Sequence, residues 1–236
     1  MDRTEINSIK TFFNQWNTYD RVVYFNYMAH KEILSSLRQF LEQNVTEPFD
    51  LLDLGCGDCS QTVKIIEGTN IRNYTGVDIS PVALEQAANQ FQQISCNNNF
   101  QEADFSSYIE SEVENSFDIV IAGYTVHHLF YPHKQAFFDN CYRILRKNGY
   151  LVHYDVMHLE NETRDQYIDR YFSIIDGWEN LQNDERESVK AHISECDYPS
   201  SYEEIGFMAM SANFKLKPGK LYTDQHSIHT LSCFQK

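Results

Sequence analysis

The sequence predicts an α/β protein built on a doubly wound, mostly parallel sheet. Between Asp50 and Val156, short apolar runs alternate with helical stretches, which is the pattern of βαβ units. Four of these runs predict buried strands, because each is apolar and is bounded by Gly, Asp or Asn. They are Phe49–Leu54, Tyr74–Ile79, Phe117–Ala122 and Tyr150–Val156.

Two crossover helices carry their own start and stop signals. Ser80 and Pro81 follow the second strand and predict an N-cap with a first-turn proline. The other helix is predicted to end just before Gly149, with Arg143, Arg146 and Lys147 in its last turn. Basic side chains there would face the negative end of the helix dipole.

The flanking segments are expected to complete one domain over residues 1–236. Residues 1–45 predict an N-terminal helical flap, with helical spacing from Ile6 to Leu41. Residues 46–156 hold the core sheet, 157–200 a helical lid inserted after the fourth visible strand, and 201–236 a helix and an antiparallel hairpin. The aromatic residues of the flap suit either a ligand pocket or ordinary core packing, and both interpretations stay open. In the lid, the side chains predicted to face the core are Tyr167, Tyr171, Phe172 and Trp178, and the acids are expected mostly to face water.

Composition and charge limit the class of protein. The chain has 236 residues, of which 42% are hydrophobic and 22% charged, as is typical of soluble globular proteins. A net charge of −15 disfavours a nucleic-acid partner, because it repels the phosphate backbone. We see no export signal and no span long enough for a bilayer, so we expect a cytoplasmic protein without a membrane partner and with six reduced cysteines.

The strongest functional signal is Leu51–Ser60, where a strand runs into a glycine loop and then a helix. Gly55 and Gly57 allow a tight turn and a close approach of the backbone to a ligand, while the helix start offers N–H groups. The third glycine of a dinucleotide fingerprint is replaced by Ser60, which disfavours a pyrophosphate ligand.

Two further signals follow the glycine loop in order. Asp78 ends the next strand, where a carboxylate accepts hydrogen bonds from both ribose hydroxyls, and Ile79 can lie against an adenine face. Asp104 offers a carboxylate to an exocyclic adenine amine, and Phe105 stands beside it. Together with the loop, these residues predict a nucleoside site without phosphates.

These motifs resemble the class I S-adenosylmethionine-dependent methyltransferases, particularly their small-molecule branch. The matching segments are Leu51–Gly57, Gly76–Ser80, Ala103–Phe105, Phe117–Gly123, His127–Leu129 and Leu145–Leu151. The resemblance implies a Rossmann-like, seven-stranded sheet with a reversed last strand. It also makes 46–156 the cofactor-binding core, with S-adenosylmethionine as cofactor and S-adenosylhomocysteine as product.

The resemblance also implies a place for each cofactor-binding residue. By position, the methionine end of the cofactor would contact Asp53, Gly55, Cys56 and Gly57. The ribose and adenine would contact Asp78 and Ile79, and the adenine would also contact Asp104 and Phe105. The sulfonium would lie above Ala122 and Gly123. The sequence departs from the family at Asp58 and Cys59, where a small residue or glycine is common.

Methyl transfer needs an acceptor lone pair held opposite the sulfur, so positioning matters more than acid–base power. Three residues that follow the predicted strand Phe117–Ala122 are the candidates for a general base: Tyr124, His127 and His128. We predict no metal ion. His127, His128 and His133 lack the i, i+4 spacing of common zinc sites, and no neighbouring acid in the sequence completes them.

The sequence therefore predicts a methyltransferase that acts on an oxygen or nitrogen of a small molecule, as a monomer or homodimer. An acidic, aromatic-rich lid is compatible with an amine or an aromatic hydroxyl acceptor, and equally with a solvated surface of no substrate role. Two alternatives stay open: a nicotinamide-dependent (NAD-type) oxidoreductase, against which Ser60 argues, and a non-catalytic S-adenosylmethionine-binding protein.

Overall fold

The computed structural model describes residues 16–236 and shows one mixed sheet. Its strands are β1 (Phe49–Leu54), β2 (Ile71–Asp78), β3 (Asn97–Glu102), β4 (Phe117–Gly123), β5 (Leu145–His158), β6 (Ser200–Ser201), β7 (Lys215–Thr223) and β8 (His229–Gln235). The order in space is β3-β2-β1-β4-β5-β8-β7, with the short β6 pairing beside β5. Strands β1 to β5 run parallel, and β8 is antiparallel to both β5 and β7. The predicted doubly wound sheet with a reversed last strand is confirmed.

Helices cover both faces of this sheet. They are α1 (Trp16–Tyr24), α2 (His30–Asn44), α3 (Thr62–Ile66), α4 (Pro81–Gln90), α5 (Phe105–Ser111), α6 (Tyr131–Ile144), α7 (Arg164–Asp176), α8 (Asn183–Cys196) and α9 (Tyr202–Ser211), with 3-10 turns at Phe91–Gln93 and Val126–His128. None of the helices in residues 16–236 has the length and apolar character needed to cross a bilayer.

Side chains of β1 alternate between two hydrophobic cores. Leu51 packs on one face of the sheet with Ile33 of α2, and Leu52 packs on the other face with Phe137 of α6. All four side chains are fully or almost fully buried. Because both faces of the strand are covered, β1 reads as a continuous apolar run in the sequence, broken only by its acids.

The first crossover helix begins where the sequence predicts. The Ser80 hydroxyl accepts a hydrogen bond from the backbone N–H of Ala83 at 3.3 Å, and Pro81 occupies the first turn of α4. The cap therefore fixes the start of the helix directly after β2. Asp78, the last residue of β2, lies two residues before the capping Ser80.

The second crossover helix ends earlier than predicted. Helix α6 stops at Ile144, so Arg146 and Lys147 lie in β5 and the predicted dipole contact is wrong for both. The Arg146 guanidinium instead donates to Asp118 at 2.6 Å and lies 2.9 Å from Asp50. These two carboxylates attract the guanidinium to the sheet, a contact between residues far apart in sequence.

Strand β3 was not among the four predicted strands. Five of its six side chains are polar and most are exposed, since Asn97–Glu102 forms one edge of the sheet and, within residues 16–236, pairs only with β2. Phe100 is the exception and packs half-buried against the core. An edge strand with no buried face lacks the apolar signature by which the other strands are recognised.

The N-terminal prediction is tested only from residue 16 onward, since residues 1–15 lie outside the described residues. Within the described part, the predicted helical stretch is two helices, because the chain turns between Tyr24 and His30 and Ala29 adopts a left-handed φ of 53°. The ring of Tyr27, in this turn, stacks on Trp178 with ring centroids 4.6 Å apart.

The segment predicted as a lid contains helices α7 and α8. Its Tyr167, Tyr171 and Trp178 side chains are buried, as the sequence suggests, whereas Phe172 is half-buried with the Lys190 ammonium 5.5 Å from its ring. The buried aromatic residues join the same hydrophobic core as α2. These rings therefore contribute to core packing.

Candidate functional site

A cavity of about 880 Å³ opens where β1, β2 and β4 end. Ligands of parallel α/β sheets bind in this place, outside the carboxyl ends of the strands. The structure brings most of the predicted site residues together in its wall: Asp53, Gly55, Cys56, Gly57, Asp78, Ile79, Asp104, Phe105, Gly123, Tyr124 and His128. Ala122 and His127 do not line it.

The glycine loop is held close to its neighbours. Gly55 has a φ of +68°, and a Cβ atom there would lie 2.1 Å from Cγ2 of Thr125. Gly57 also has a positive φ, and its N–H donates to Oδ2 of Asp78 at 2.9 Å. Larger side chains are excluded at Gly55, and the loop is tied directly to the tip of β2.

The carboxylate of Asp78 is buried and held in a fixed orientation. Besides the bond from Gly57, Oδ1 accepts from the N–H of Ser80 at 2.8 Å. Burial raises the pKa of Asp78, although the backbone N–H groups around it favour the ionised form. A carboxylate has about four acceptor sites, so Asp78 can also accept a hydroxyl hydrogen from a ligand.

The departure at Asp58 and Cys59 has a local explanation. The Asp58 carboxylate accepts a hydrogen bond from the N–H of Ser60 at 3.0 Å, and Cys59 between them has a left-handed φ of 59°. An aspartate that bonds the backbone two residues on stabilises a turn without a glycine. Asp58 therefore holds the loop in shape, and it also lines the cavity.

Asp53 lies at the end of β1 with its carboxylate in a buried network. Oδ2 accepts hydrogen bonds from Thr62 at 2.7 Å and from Tyr74 at 2.9 Å. Burial raises the pKa of Asp53 to about 6, despite these two donors. The Tyr74 hydroxyl also lies 3.0 Å from Sγ of Cys59, so the network joins β1, β2 and the loop.

Asp104 and Phe105 stand together at the start of α5. Oδ1 of Asp104 accepts from the N–H and the hydroxyl of Ser107, at 2.9 Å and 3.1 Å, and so caps the helix. Phe105 is buried at the cavity wall. The cap leaves the second oxygen, Oδ2, outside this pair of contacts and available to a ligand.

Gly123 and Tyr154 form a flat part of the wall. The two residues are register partners in the β4–β5 pair, and a Cβ on Gly123 would lie 2.0 Å from Cζ of Tyr154. The Tyr154 ring meets that of Tyr124 edge-on, with centroids 5.3 Å apart. Sequence reasoning missed Tyr154. Its signal is the sheet register, which places it beside a glycine of the matched motif.

Tyr124 adopts a left-handed φ of 52°, directly after β4. Its hydroxyl donates to the backbone carbonyl of Met28, in the turn before α2. Burial raises the pKa of Tyr124 well above its ordinary value, so the hydroxyl keeps its proton. The residue thus joins the N-terminal segment to the cavity.

His127 lies behind the cavity wall, between two carboxylates. Its Nδ1 is 2.5 Å from Oδ1 of Asp155, its backbone N–H donates to Oδ2 of the same residue at 2.9 Å, and its Nε2 is 3.6 Å from Oδ1 of Asp197. Burial lowers the pKa of His127, but Asp155 and Asp197 outweigh this and raise it. The two acids therefore favour the protonated form of the ring.

His128 points differently and lines the cavity. Its Nδ1 lies 3.1 Å from the carbonyl oxygen of Cys196, and because a carbonyl only accepts, Nδ1 carries the hydrogen. Burial, and then the neighbouring His127, lower the pKa of His128 well below its ordinary value. The ring is neutral at physiological pH.

The structure adds an acid to the histidine pair that sequence spacing did not reveal. Asp197 comes from the end of α8, and ligand-type atoms of His127, His128 and Asp197 all lie within 4.8 Å of one another. His133 is exposed on α6 and lines a different, smaller cavity.

The ammonium of Lys134 lies near the group of His127 and Asp197, and it donates to Ser200 at 3.0 Å. The absence of a metal ion stays a prediction.

The fold and this cavity define an α/β protein of Rossmann-like architecture with a ligand site at the strand ends. Residues 52–151 match a family model described as "Methyltransferase domain". A Bacillus mycoides (strain KBAB4) protein named "Uncharacterized methyltransferase" is 27% identical over 172 residues, covering 70% of this chain and 74% of that protein. A Bacillus cereus (strain 03BB102) protein of the same name matches over the same shares. These findings support a methyltransferase.

Solved structures share the fold at low sequence identity. Burkholderia thailandensis 1,6-didemethyltoxoflavin-N1-methyltransferase, bound to 1,6-didemethyltoxoflavin and S-adenosylhomocysteine, has a TM-score of 0.64 at 14% identity, covering 100% of this chain and 91% of that chain. A SAM-dependent methyltransferase from Methanosarcina mazei has a TM-score of 0.57 at 16% identity, covering 84% and 96%. At such identities the likeness shows the architecture alone.

Proposed function

We propose that the protein transfers a methyl group from S-adenosylmethionine to an oxygen or nitrogen atom of a small molecule. The observation that carries this proposal is the hydrogen bond between the Gly57 N–H and the Asp78 carboxylate. This bond joins the glycine loop to an acid that is placed to bind ribose hydroxyls, at the ends of two neighbouring strands. Ser60 occupies the position at which a pyrophosphate-binding loop has its third glycine. Such a site suits a nucleoside without phosphates.

The cavity fits this cofactor in charge as well as in shape. Its wall contains the acids Asp20, Asp53, Asp58, Asp78 and Asp104 against the bases Lys31 and Lys64. S-adenosylmethionine supplies a methyl carbon activated by a sulfonium, and an acidic wall favours a cationic ligand. Ile79 and Phe105 give apolar surfaces for adenine, and the second oxygen of Asp104 can accept from its amine.

The residues near Gly123 are suited to positioning an acceptor. The edge-on rings of Tyr124 and Tyr154 form a rigid apolar wall, which excludes water and restricts the orientation of a bound ring. The Tyr124 proton is committed to Met28, and His127 is enclosed by two acids. Of the three predicted base candidates, His128 is therefore the one we propose to accept a proton, as a secondary aid to positioning.

The substrate of one structural neighbour supports an acceptor that contains a ring. The Burkholderia enzyme is named as an N1-methyltransferase and holds 1,6-didemethyltoxoflavin beside S-adenosylhomocysteine, and the shared architecture extends over the whole of this chain. For this protein we propose a small-molecule acceptor, a cytoplasmic location and no nucleic-acid or membrane partner, with a net charge of −15 as support. The oligomeric state that we propose is a monomer or a homodimer, and light scattering would distinguish the two.

Calorimetric titration tests the proposal directly. The protein is titrated with S-adenosylmethionine, S-adenosylhomocysteine and NAD, and an acceptor library is then screened for released S-adenosylhomocysteine. Binding of the two sulfur nucleosides together with turnover is expected. Tight binding of NAD without binding of either sulfur nucleoside would favour the oxidoreductase alternative. Binding of S-adenosylmethionine without turnover of any acceptor in the library would favour a non-catalytic binding protein.

A further inference from the structure

His30 is a cavity residue that neither the motifs nor the cofactor explain. It is the first residue of α2, its side chain is only 4% exposed, and it lines the cavity. Within the described residues, its buried Nδ1 atom has no hydrogen-bond partner. Buried polar atoms of proteins are paired in the great majority of cases, so an unpaired nitrogen in a side chain that lines a cavity is a candidate for pairing with a bound ligand.

The imidazole of His30 is neutral in this environment. Burial, then His229 and Lys64, lower the pKa of His30 to about 3. A neutral imidazole has one N–H donor and one lone pair, so it can accept a hydrogen bond from a hydroxyl or from a ring N–H. It does not attract an anion or repel a cation as a charged histidine would.

His30 lies beside Tyr124, the residue that follows Gly123 at the end of β4. Its ring lies 5.1 Å from that of Tyr124, which in turn packs edge-on against Tyr154 above Gly123. The bond from the Tyr124 hydroxyl to Met28 holds the start of α2 against this wall. His30 thus places a neutral polar group beside the aromatic rings of Tyr124 and Tyr154, which suits a planar ring with one polar edge.

We propose that His30 is the positioning residue for the methyl acceptor, and that the acceptor is a neutral, planar-ring molecule whose hydroxyl or ring N–H hydrogen-bonds to this imidazole. The inference rests on the proposed function, because it assigns the acceptor side of the same cavity. Holding one edge of the ring fixes which of its atoms faces the methyl group.

A pair of probes tests the hydrogen bond without knowledge of the natural acceptor. Phenol carries a hydroxyl donor, whereas anisole has nearly the same shape and no donor. Their dissociation constants are measured by NMR titration of the S-adenosylhomocysteine complex. Phenol should bind about fivefold more tightly than anisole, as one net hydrogen bond predicts. This preference should disappear in His30→Leu and His30→Phe, and should return in part in His30→Gln.

The matched control is His133→Leu, which removes an exposed histidine outside this cavity and should keep the preference. Unchanged affinity for S-adenosylhomocysteine shows that each variant is folded. Equal affinities for phenol and anisole in the unsubstituted protein, or a preference that survives in both His30→Leu and His30→Phe, would overturn the inference. Failure to bind S-adenosylhomocysteine would contradict the proposed function instead, and the same titration of the free protein would still test His30.

Discussion

At the scale of single residues, the site depends on carboxylates that are held by the backbone. Asp78 receives N–H groups from Gly57 and Ser80, and Asp104 receives that of Ser107. Such bonds fix the oxygens before a ligand arrives, so little orientational freedom is lost on binding. The cofactor affinity should therefore be sensitive to each of these side chains.

Asp78→Ala should weaken S-adenosylhomocysteine binding by about 2 kcal/mol, which corresponds to a roughly thirtyfold higher Kd. The reason is the loss of charge-assisted hydrogen bonds to the ribose. Calorimetry measures the change, and Asp139→Ala, which removes an exposed acid of α6 outside the cavity, is the control. An unaltered Kd would show that the ribose binds elsewhere.

The affinity for S-adenosylhomocysteine should rise between pH 5 and pH 7, because the pKa of Asp53 is raised to about 6. Below this pKa the side chain is protonated and gives no charge to attract the ammonium of the ligand. Above it the carboxylate is present. The Kd should therefore fall by up to about tenfold per pH unit below pH 6 and level off above it. Asp53→Asn should flatten the profile, and a slope that persists in this variant would assign it to another group.

At the scale of elements, His127 connects three parts of the fold. It belongs to the 3-10 turn after β4, Asp155 belongs to β5, and Asp197 follows α8. The ring thereby links the inserted helices to the sheet through buried charges. Breaking a buried ion pair leaves its partner uncompensated, which costs more than the loss of an exposed pair.

His127→Ala should destabilise the protein by about 3 kcal/mol, because Asp155 and Asp197 stay buried without their cation. Urea denaturation followed by circular dichroism measures the free energy of unfolding. His133→Ala, at an exposed position, should change it by less than about 0.5 kcal/mol. Equal effects of the two substitutions would contradict the role of the buried pair.

The sequence predicts those elements whose signal is local. The glycine loop, the cap at Ser80 and Asp78 are visible because each depends on residues a few positions apart. Strand β3 escapes because an edge strand has no buried face. Helix α6 was predicted too long because the partners of Arg146, Asp50 and Asp118, lie far away in sequence.

The same limit applies to the site. His30, Tyr154 and Asp197 come from an N-terminal helix, a strand partner and the end of the inserted helices, and no spacing rule connects them to the glycine loop. Only tertiary packing brings His30 to the cavity and Asp197 to His127. The proposed cofactor side of the site is thus predicted by local motifs, whereas the proposed acceptor side is recognised only from the fold.

At the scale of the whole molecule, the buried charges near His127 should be balanced without a metal ion. Asp155 and Asp197 favour the protonated form of the His127 ring, which would offset their charge. The Lys134 ammonium lies in the same region, and because burial lowers its pKa only to about 8, it is largely charged at neutral pH. For His127 to bind an ion through Nε2, that nitrogen would have to be without a proton, because metal ligands bind in their deprotonated form.

Treatment with excess EDTA should leave the Tm of the purified protein unchanged, because a ligand that binds only the native state raises Tm and its removal lowers it. Differential scanning fluorimetry with and without the chelator measures this, and elemental analysis of the untreated protein provides an independent check. A lower Tm with EDTA, restored by zinc, would assign the ion to His127, His128 and Asp197.

The stacked pair of Tyr27 and Trp178 has a consequence for remodelling the protein. The two rings belong to segments 151 positions apart, yet they meet face to face at 4.6 Å. A homologous N-terminal segment grafted onto this scaffold would present a foreign surface to Trp178. A chimera designed to bind a new acceptor therefore has to exchange the two segments together. A natural substitution of one of the two rings likewise limits which residues are tolerated at the other.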